Sequence, residues 1–376
     1  MRDVDGVALR ATLAELFTTP FDAPVEDDRF NDVALGVFAY QYERNAPYAA
    51  YCDRRGRTPV TVAHWTHVPA VPTAAFKEVT LATGAPADAE AVFRTSGTTR
   101  GPEKRGVHYV MDVSLYHLSL IPNFAACVLP DGAQPLMVSL MPPAREMPDS
   151  SLAHMIDVVM DRLGAEGSVH CASLEHGLDA ARLARTLRDA ESSGAPVCLL
   201  GTSFAYVRWL DELSAAGERF RLPAGSRLMD TGGYKGHGRE VDEFSLRALY
   251  AELLGVPESH CVNEYGMTEM LSQFYDSTLR DAVVGRERDR RKVGPPWVRT
   301  RIVDPESLEP VAAGQSGLLQ HFDVANAGSV MAIQTEDVAV AADAGFRLLG
   351  RAAGATPRGC SIAMDMLLDA ADSRRR

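Results

Sequence analysis

The run Arg94-Thr95-Ser96-Gly97-Thr98-Thr99-Arg100-Gly101-Pro102-Glu103-Lys104 combines the residue types that hold a polyphosphate. Its small residues offer successive backbone N–H and hydroxyl donors to phosphate oxygens. Gly97 and Gly101 let the backbone approach closely and take positive φ. Lys104 and Arg100 offset anionic charge. The run is not a Walker A loop, because Gly-x-x-x-x-Gly-Lys-Ser/Thr is absent. The plain alternative for so short a string is a Ser/Thr-rich surface turn.

Two further side chains could carry chemistry. His108 lies just beyond the loop, where it would contact phosphate or line a substrate pocket; a satisfied structural histidine is the alternative. Cys360 sits in Pro357-Arg358-Gly359-Cys360-Ser361. Arg358 would lower its pKa and Gly359 would give backbone access, both favouring a thiolate nucleophile. An inert, partly buried thiol is the alternative.

The Thr95-Ser96-Gly97-Thr98-Thr99 string resembles the phosphate loop of the adenylate-forming enzymes, and three later segments follow in that superfamily's order. Asn263-Glu264-Tyr265-Gly266-Met267-Thr268-Glu269 looks like its Tyr-Gly-x-Thr-Glu motif. Thr335-Glu336-Asp337 looks like its Thr-Gly-Asp motif, and Gly350-Arg351 like its hinge Gly-Arg. A narrower resemblance spans nearly the whole chain. Val68-Pro69-Ala70-Val71-Pro72-Thr73-Ala74-Ala75-Phe76-Lys77, Asp149-Ser150-Ser151-Leu152-Ala153-His154-Met155, Thr231-Gly232-Gly233-Tyr234-Lys235-Gly236, Phe322-Asp323-Val324-Ala325-Asn326 and Arg358-Gly359-Cys360-Ser361 are similar to segments of the acyl-protein synthetases. These are the long-chain-fatty-acid–protein ligases of bacterial bioluminescence and their relatives.

That resemblance implies an ATP-dependent ligase that joins a carboxylic acid to the α-phosphate of ATP, releases pyrophosphate, and then passes the acyl group to a thiol. The loop, with Thr95, Ser96, Gly97, Thr98, Thr99 and the catalytic Lys104, would hold the β- and γ-phosphates. Thr268 would meet the α-phosphate, and Glu269 would supply Mg²⁺ with the hard oxygen a hard cation prefers. Tyr265 would stack on adenine, followed by Gly266, with the Gly232-Gly233 backbone against the other face. Asp337 would accept from the ribose hydroxyls, and Arg351 would sit near the same sugar. Cys360 matches the near-C-terminal cysteine that takes the acyl group as a thioester before an acyl-accepting protein, a reductase or carrier. Structure alone offers alternatives: Tyr265 as a core aromatic, Glu269 as a solvated helix-start carboxylate, Asp337 as a turn residue and Arg351 in a surface ion pair. Direct transfer to CoA, an amine or a carrier protein is the competing reaction. A non-catalytic nucleotide- or acyl-binding protein is the competing class, kept open by Arg100 and Glu336 where the superfamily has glycine.

Composition agrees with an ordinary globular enzyme: 46% hydrophobic, 23% charged and a net charge of −12 over 376 residues. That acidity argues against nucleic acid and anionic membrane surfaces. No apolar run is long enough to span a bilayer, and the acidic start lacks a signal peptide's apolar core. Six scattered cysteines without Cys-x-x-Cys point to free thiols in a reducing cytoplasm.

The elements that must position these residues read as an α/β fold. Helix-like spacing covers 6–18 and 30–45, the second capped by Asn31 or Asp32. Residues 66–73 read as an extended connection. Strand candidates at 135–141, 197–201, 227–230 and 260–263 alternate with helices at 150–163, 178–193, 203–216 and 239–254, which indicates βαβ units and mainly parallel sheets flanked by helices. Beyond about residue 290, short runs at 297–303, 317–323, 330–334 and 346–349 predict a small β-rich C-terminal subdomain. The expected division is 1–90, a helical N-terminal part; 91–290, an α/β nucleotide-binding core; and 291–376, the β-rich part with Cys360. This matches the large-domain architecture of adenylate-forming enzymes, without the mobile C-terminal lysine domain, because the sequence ends shortly after Arg351.

Lys104→Ala is expected to lower ATP–pyrophosphate exchange by the loss of one charge-assisted hydrogen bond, about 1.5–3 kcal/mol. Unchanged exchange would remove Lys104 from the reaction.

Overall fold

The computed structural model describes residues 5–95, 105–232 and 241–352. The chain falls into two compact units. One comprises Met1–Asn123, Met267–Gln273 and Arg291–Arg376; the other comprises Phe124–Gly266 and Phe274–Arg290.

The second unit is a sheet with strand order Phe274–Asp276, Cys261–Tyr265, Arg227–Thr231, Val197–Thr202, Leu136–Ser139, Val169–His170. Every pairing is parallel except that of Phe274–Asp276 with Cys261–Tyr265. Val197, Cys198, Leu199 and Leu200 are all fully buried, with no alternation, as a strand covered on both faces requires. The covering helices Ala180–Ser193, Ser203–Ala216 and Glu243–Leu254 each start at a side-chain cap. Asp179, Thr202 and Asp242 accept from the N–H groups of Arg182, Ala205 and Ser245. Each cap satisfies a donor that the first helical turn leaves orphaned. Leu183, Leu187, Trp209, Leu210, Leu228 and Tyr250 fill the core between sheet and helices.

The first unit is mostly antiparallel, with strand order Val298–Val303, Ser316–Asp323, Ala332–Ala342, Gly345–Arg351, Lys292–Val293. Val71–Pro72 adds to Ala332–Ala342 in parallel. A separate hairpin pairs Ala91–Arg94 with Val107–Val110. Helices Gly6–Leu16, Asp27–Arg44 and Ala46–Arg54 form its N-terminal part.

Three expectations need correction. Neither Asn31 nor Asp32 caps the second helix, which begins at Asp27 with Asp27 and Asp28 in its first turn. Acidic residues there favour the positive end of the helix dipole. Asn31 instead accepts from the Trp65 N–H at 2.7 Å and donates to the Ala63 carbonyl at 3.2 Å. The connection at 66–73 is extended only in part: 3-10 turns at Trp65–His67 and Thr73–Lys77 flank the short strand Val71–Pro72. The run expected at 330–334 opens a much longer strand, Ala332–Ala342. Among the described residues no helix is long and apolar enough to cross a membrane.

In the second unit Arg227 is buried and makes two 2.7 Å bonds to the Asp131 carboxylate. Asp131→Ala would leave that guanidinium without its anion. We expect destabilisation by about 3 kcal/mol, read as a lower urea midpoint and largely reversed by adding Arg227→Met.

Candidate active site

In the α/β unit two of the expected site residues lie at the carboxyl ends of neighbouring parallel strands, the edge where open α/β sheets bind ligands. Gly232 follows Arg227–Thr231 with φ +77°, a conformation that disfavours any Cβ. Its carbonyl accepts from the Ser203 hydroxyl at 3.0 Å. Tyr265 ends Cys261–Tyr265, nearly buried, its ring 6.0 Å from that of Phe274. The strand ends are cross-braced. Tyr250 and Asn263 donate to the Asp230 carboxylate at 2.8 Å each, and the Thr231 hydroxyl donates to Glu264. This bracing joins groups 20 and 33 positions apart in sequence, and only the motif position of Asn263 and Glu264 hinted at it.

In the β-rich unit the hairpin carrying the phosphate-loop run closes tightly at its neck. Thr95 donates its N–H to the Gly106 carbonyl at 2.9 Å, and Gly106 returns its N–H to the Thr95 hydroxyl at 2.8 Å. A Cβ on Gly106 would stand 3.0 Å from Thr95 Cγ2. Arg105 donates to the carbonyls of Thr95 and Arg94. Ser96, Gly97, Thr98, Thr99, Arg100 and Lys104 lie outside the described residues, as do Gly233 and Cys360.

His108 is fully buried on Val107–Val110. Its Nδ1 lies 2.7 Å from the Thr268 carbonyl and its Nε2 2.9 Å from Asn326 Oδ1, so a neutral ring donates to one of these two acceptors and a protonated ring to both. Burial holds its pKa below the ordinary histidine value. Both ring nitrogens thus face protein oxygens, the arrangement of the structural histidine that was the alternative to a contact with phosphate or substrate.

The segment after Gly266 carries Thr268, half-buried, and Glu269, which is 7% exposed. Glu269 is therefore not a solvated helix-start carboxylate. Burial raises its pKa to about 7, against the opposing pull of its own backbone N–H, Lys77 and Arg351, while Asp337 adds to the rise. Asp337 and Arg351 are partners across adjacent strands, with Arg351 Nε donating to Asp337 Oδ1 at 3.4 Å. Asp337 lies within a strand rather than a turn, and Arg351 is exposed. Glu336, in the place of the usual glycine, lies inside Ala332–Ala342 and needs no glycine backbone. Lys77, quoted in the sequence only as part of a longer segment, joins this charged group.

Among the described residues no group of three or more His, Cys, Asp or Glu could hold a metal. Mg²⁺ does not demand one, since one or two carboxylates suffice when phosphates and water complete its shell. The buried, partly neutralised Glu269 carboxylate fits that use. Cys52, Cys127, Cys171, Cys198 and Cys261 are free and buried. Burial pushes Cys171 up to about 11 and Cys198 to about 12, and raises the other three further.

Residues 169–368 match the family described as acyl-protein synthetase, LuxE, a span that includes the 265–269 motif, Asp337, Arg351 and Cys360. The chain belongs to the LuxE acyl-protein synthetase family. Long-chain-fatty-acid–luciferin-component ligases of Vibrio harveyi and Aliivibrio fischeri are each 23% identical to it, over 312 and 311 residues, covering 81% of this chain and 77% of theirs. Its fold resembles 2-hydroxyisobutyryl-CoA ligase solved with 2-HIB-AMP, at TM-score 0.61 and 15% identity over 87% of this chain and 68% of that one. An open conformation of the same ligase also superposes at TM-score 0.61, with 14% identity. The expected class, an ATP-dependent adenylate-forming ligase, is thereby met.

Because its folded pKa is raised, Glu269 contributes stability that is full below about pH 4.5 and lost as pH rises through about 7. Glu269→Gln removes the charge and keeps the shape. Thermal melts are expected to show it more stable than the parent near about pH 8 and nearly equal near about pH 5. Equal melting differences at both would contradict the buried carboxylate.

Proposed function

We propose that the LuxE-family chain activates a carboxylic acid as acyl-AMP at these residues and then carries the acyl group on Cys360 to an acceptor protein. In the first step a carboxylate oxygen attacks the α-phosphorus of ATP, and pyrophosphate leaves. Both reactants are anionic, so the protein's task is to align them and neutralise charge. Thr95, Ser96, Gly97, Thr98, Thr99 and Lys104 take the β- and γ-phosphates. Thr268 donates to the α-phosphate. Gly232, Gly233 and Gly266 leave room beside adenine, on which Tyr265 stacks. Asp337 holds the ribose hydroxyls, with Arg351 beside it.

Glu269 would hold Mg²⁺, which would supply positive charge against the phosphates. The observation that carries this reading is the Glu269 carboxylate, buried and flanked by Lys77 and Arg351, at the end of the Tyr-Gly-x-Thr-Glu match. Arg351 and Asp337 occupy opposed positions on neighbouring strands beside it.

In the second step the Cys360 thiolate attacks the acyl carbonyl, the C–O bond to phosphate breaks, and AMP leaves with the electron pair. The thioester then exchanges with a nucleophile on the partner. A long-chain fatty acid, from the relatives' name, is the first acid to try.

An ATP–pyrophosphate exchange screen across an acid library tests the first step. For the second, Cys360→Ala is expected to keep exchange and to lose the hydroxylamine-labile acyl adduct seen as added protein mass, since the thiolate is the stronger nucleophile at neutral pH. Parent protein that adenylates an acid and never gains acyl mass would transfer the role to CoA, an amine or a carrier protein.

A further inference from the structure

The residues 268–272, between Gly266 and the strand Phe274–Asp276, form no helix or strand, so their backbone groups must find partners elsewhere. Buried side chains supply them. The Thr268 carbonyl lies 2.7 Å from His108 Nδ1. The Glu269 carbonyl accepts from Asn326 Nδ2 at 2.9 Å. The N–H groups of Leu271 and Ser272 both donate to Asp323 Oδ2, at 3.0 and 2.8 Å, and the Ser272 hydroxyl donates to Oδ1 at 2.8 Å.

His108, Asn326 and Asp323 are at most 1% exposed. They also hold one another. His108 Nε2 lies against Asn326 Oδ1, and Asn326 Nδ2 makes a second bond to the Val330 carbonyl at 2.9 Å, which fixes the amide's orientation. Asp323 Oδ1 accepts from the Ala325 N–H at 3.1 Å and so shapes the turn that presents Asn326.

The other end of this cluster is the phosphate-loop hairpin. His108 is the register partner of Phe93, one residue before Arg94 and the neck at Thr95. A single imidazole therefore joins the strand that returns from the loop to the backbone of Thr268. We propose that His108, Asn326 and Asp323 are positioning residues that lock the phosphate-loop hairpin to the segment bearing Thr268 and Glu269, so that the two sets of phosphate-handling groups order as one body when nucleotide binds. This rests on the reading that both sets take the triphosphate. The lock would set the spacing between the groups on the terminal phosphates and those on the α-phosphate and metal. That spacing must hold while the α-phosphorus is attacked, because misplaced reactants lose rate steeply.

Hydrogen exchange of the whole protein, followed by mass spectrometry with and without MgATP, tests the lock. In the parent, MgATP is expected to protect peptides covering the hairpin strands and residues 267–273 together. In His108→Gln and Asn326→Asp, protection of 267–273 is expected to fall while the hairpin stays protected. Half-saturation by Mg²⁺ in pyrophosphate exchange is expected to rise about 10- to 100-fold, as when supports behind a metal ligand are removed. Folded variants with the parent's protection pattern and Mg²⁺ dependence would overturn the proposal.

Should the variants not fold, the parent alone decides. In sub-denaturing urea the hairpin and 268–272 amides are expected to open with one free energy and one urea slope. Separate openings would defeat the lock. Absence of any MgATP protection in the parent would instead defeat the nucleotide reading, and the urea measurement would still judge the lock.

Discussion

Glu269 puts a carboxylate where water scarcely reaches, within range of the charges of Lys77, Arg351 and Asp337. An unpaired anion in such a place is costly enough that it would take up a proton instead. Lys77 and Arg351 lie near enough to oppose that, and Asp337 works against them. The balance leaves the group titrating near neutrality rather than fully ionised. The protein's own charges thus stop short of holding it fully ionised at neutral pH. A site that needs its ligand to complete its electrostatics binds most firmly in the ligand-bound state, the general condition for holding a highly charged substrate.

The two units meet the problem of placing backbone in different ways. In the α/β unit, regular parallel strands carry Gly232 and Tyr265 to one sheet edge, and buried polar side chains brace the strand ends. In the β-rich unit, Thr268 and Glu269 sit on irregular chain, and side-chain acceptors and donors replace a ladder. Regular structure fixes position through repetition. Irregular structure fixes it through specific partners, each of which must be present.

Legibility in the sequence follows the same divide. The alternation of strands and helices from 135 to 263 reads correctly because apolar runs, caps and period are local signals. Residues 265–269 and 335–337 could be singled out as motifs because their residue types lie within a few positions, and both lie in the span that matches the family. What the sequence hides is set by distant partners. The buried state of His108 depends on Thr268 and Asn326, 160 and 218 positions away. Asp323 gains its purpose from Leu271 and Ser272. Asn31 is a residue type that caps helices, yet it is recruited by Trp65, 34 positions on. The helix Val113–Val128 keeps Pro122 inside it, a residue that local rules read as a stop.

The cysteines carry a consequence for anyone working with this chain. Cys52, Cys127, Cys171, Cys198 and Cys261 are shut away from solvent, and their thiols are held well above neutral pH. Neutral buried thiols are poor nucleophiles and poor targets for electrophiles. They form a chemically quiet background in the folded protein. An electrophilic probe added at neutral pH would leave these five unlabelled, so a signal from them would report unfolding rather than catalysis. The same silence protects an activated acyl group from capture by the protein's own interior.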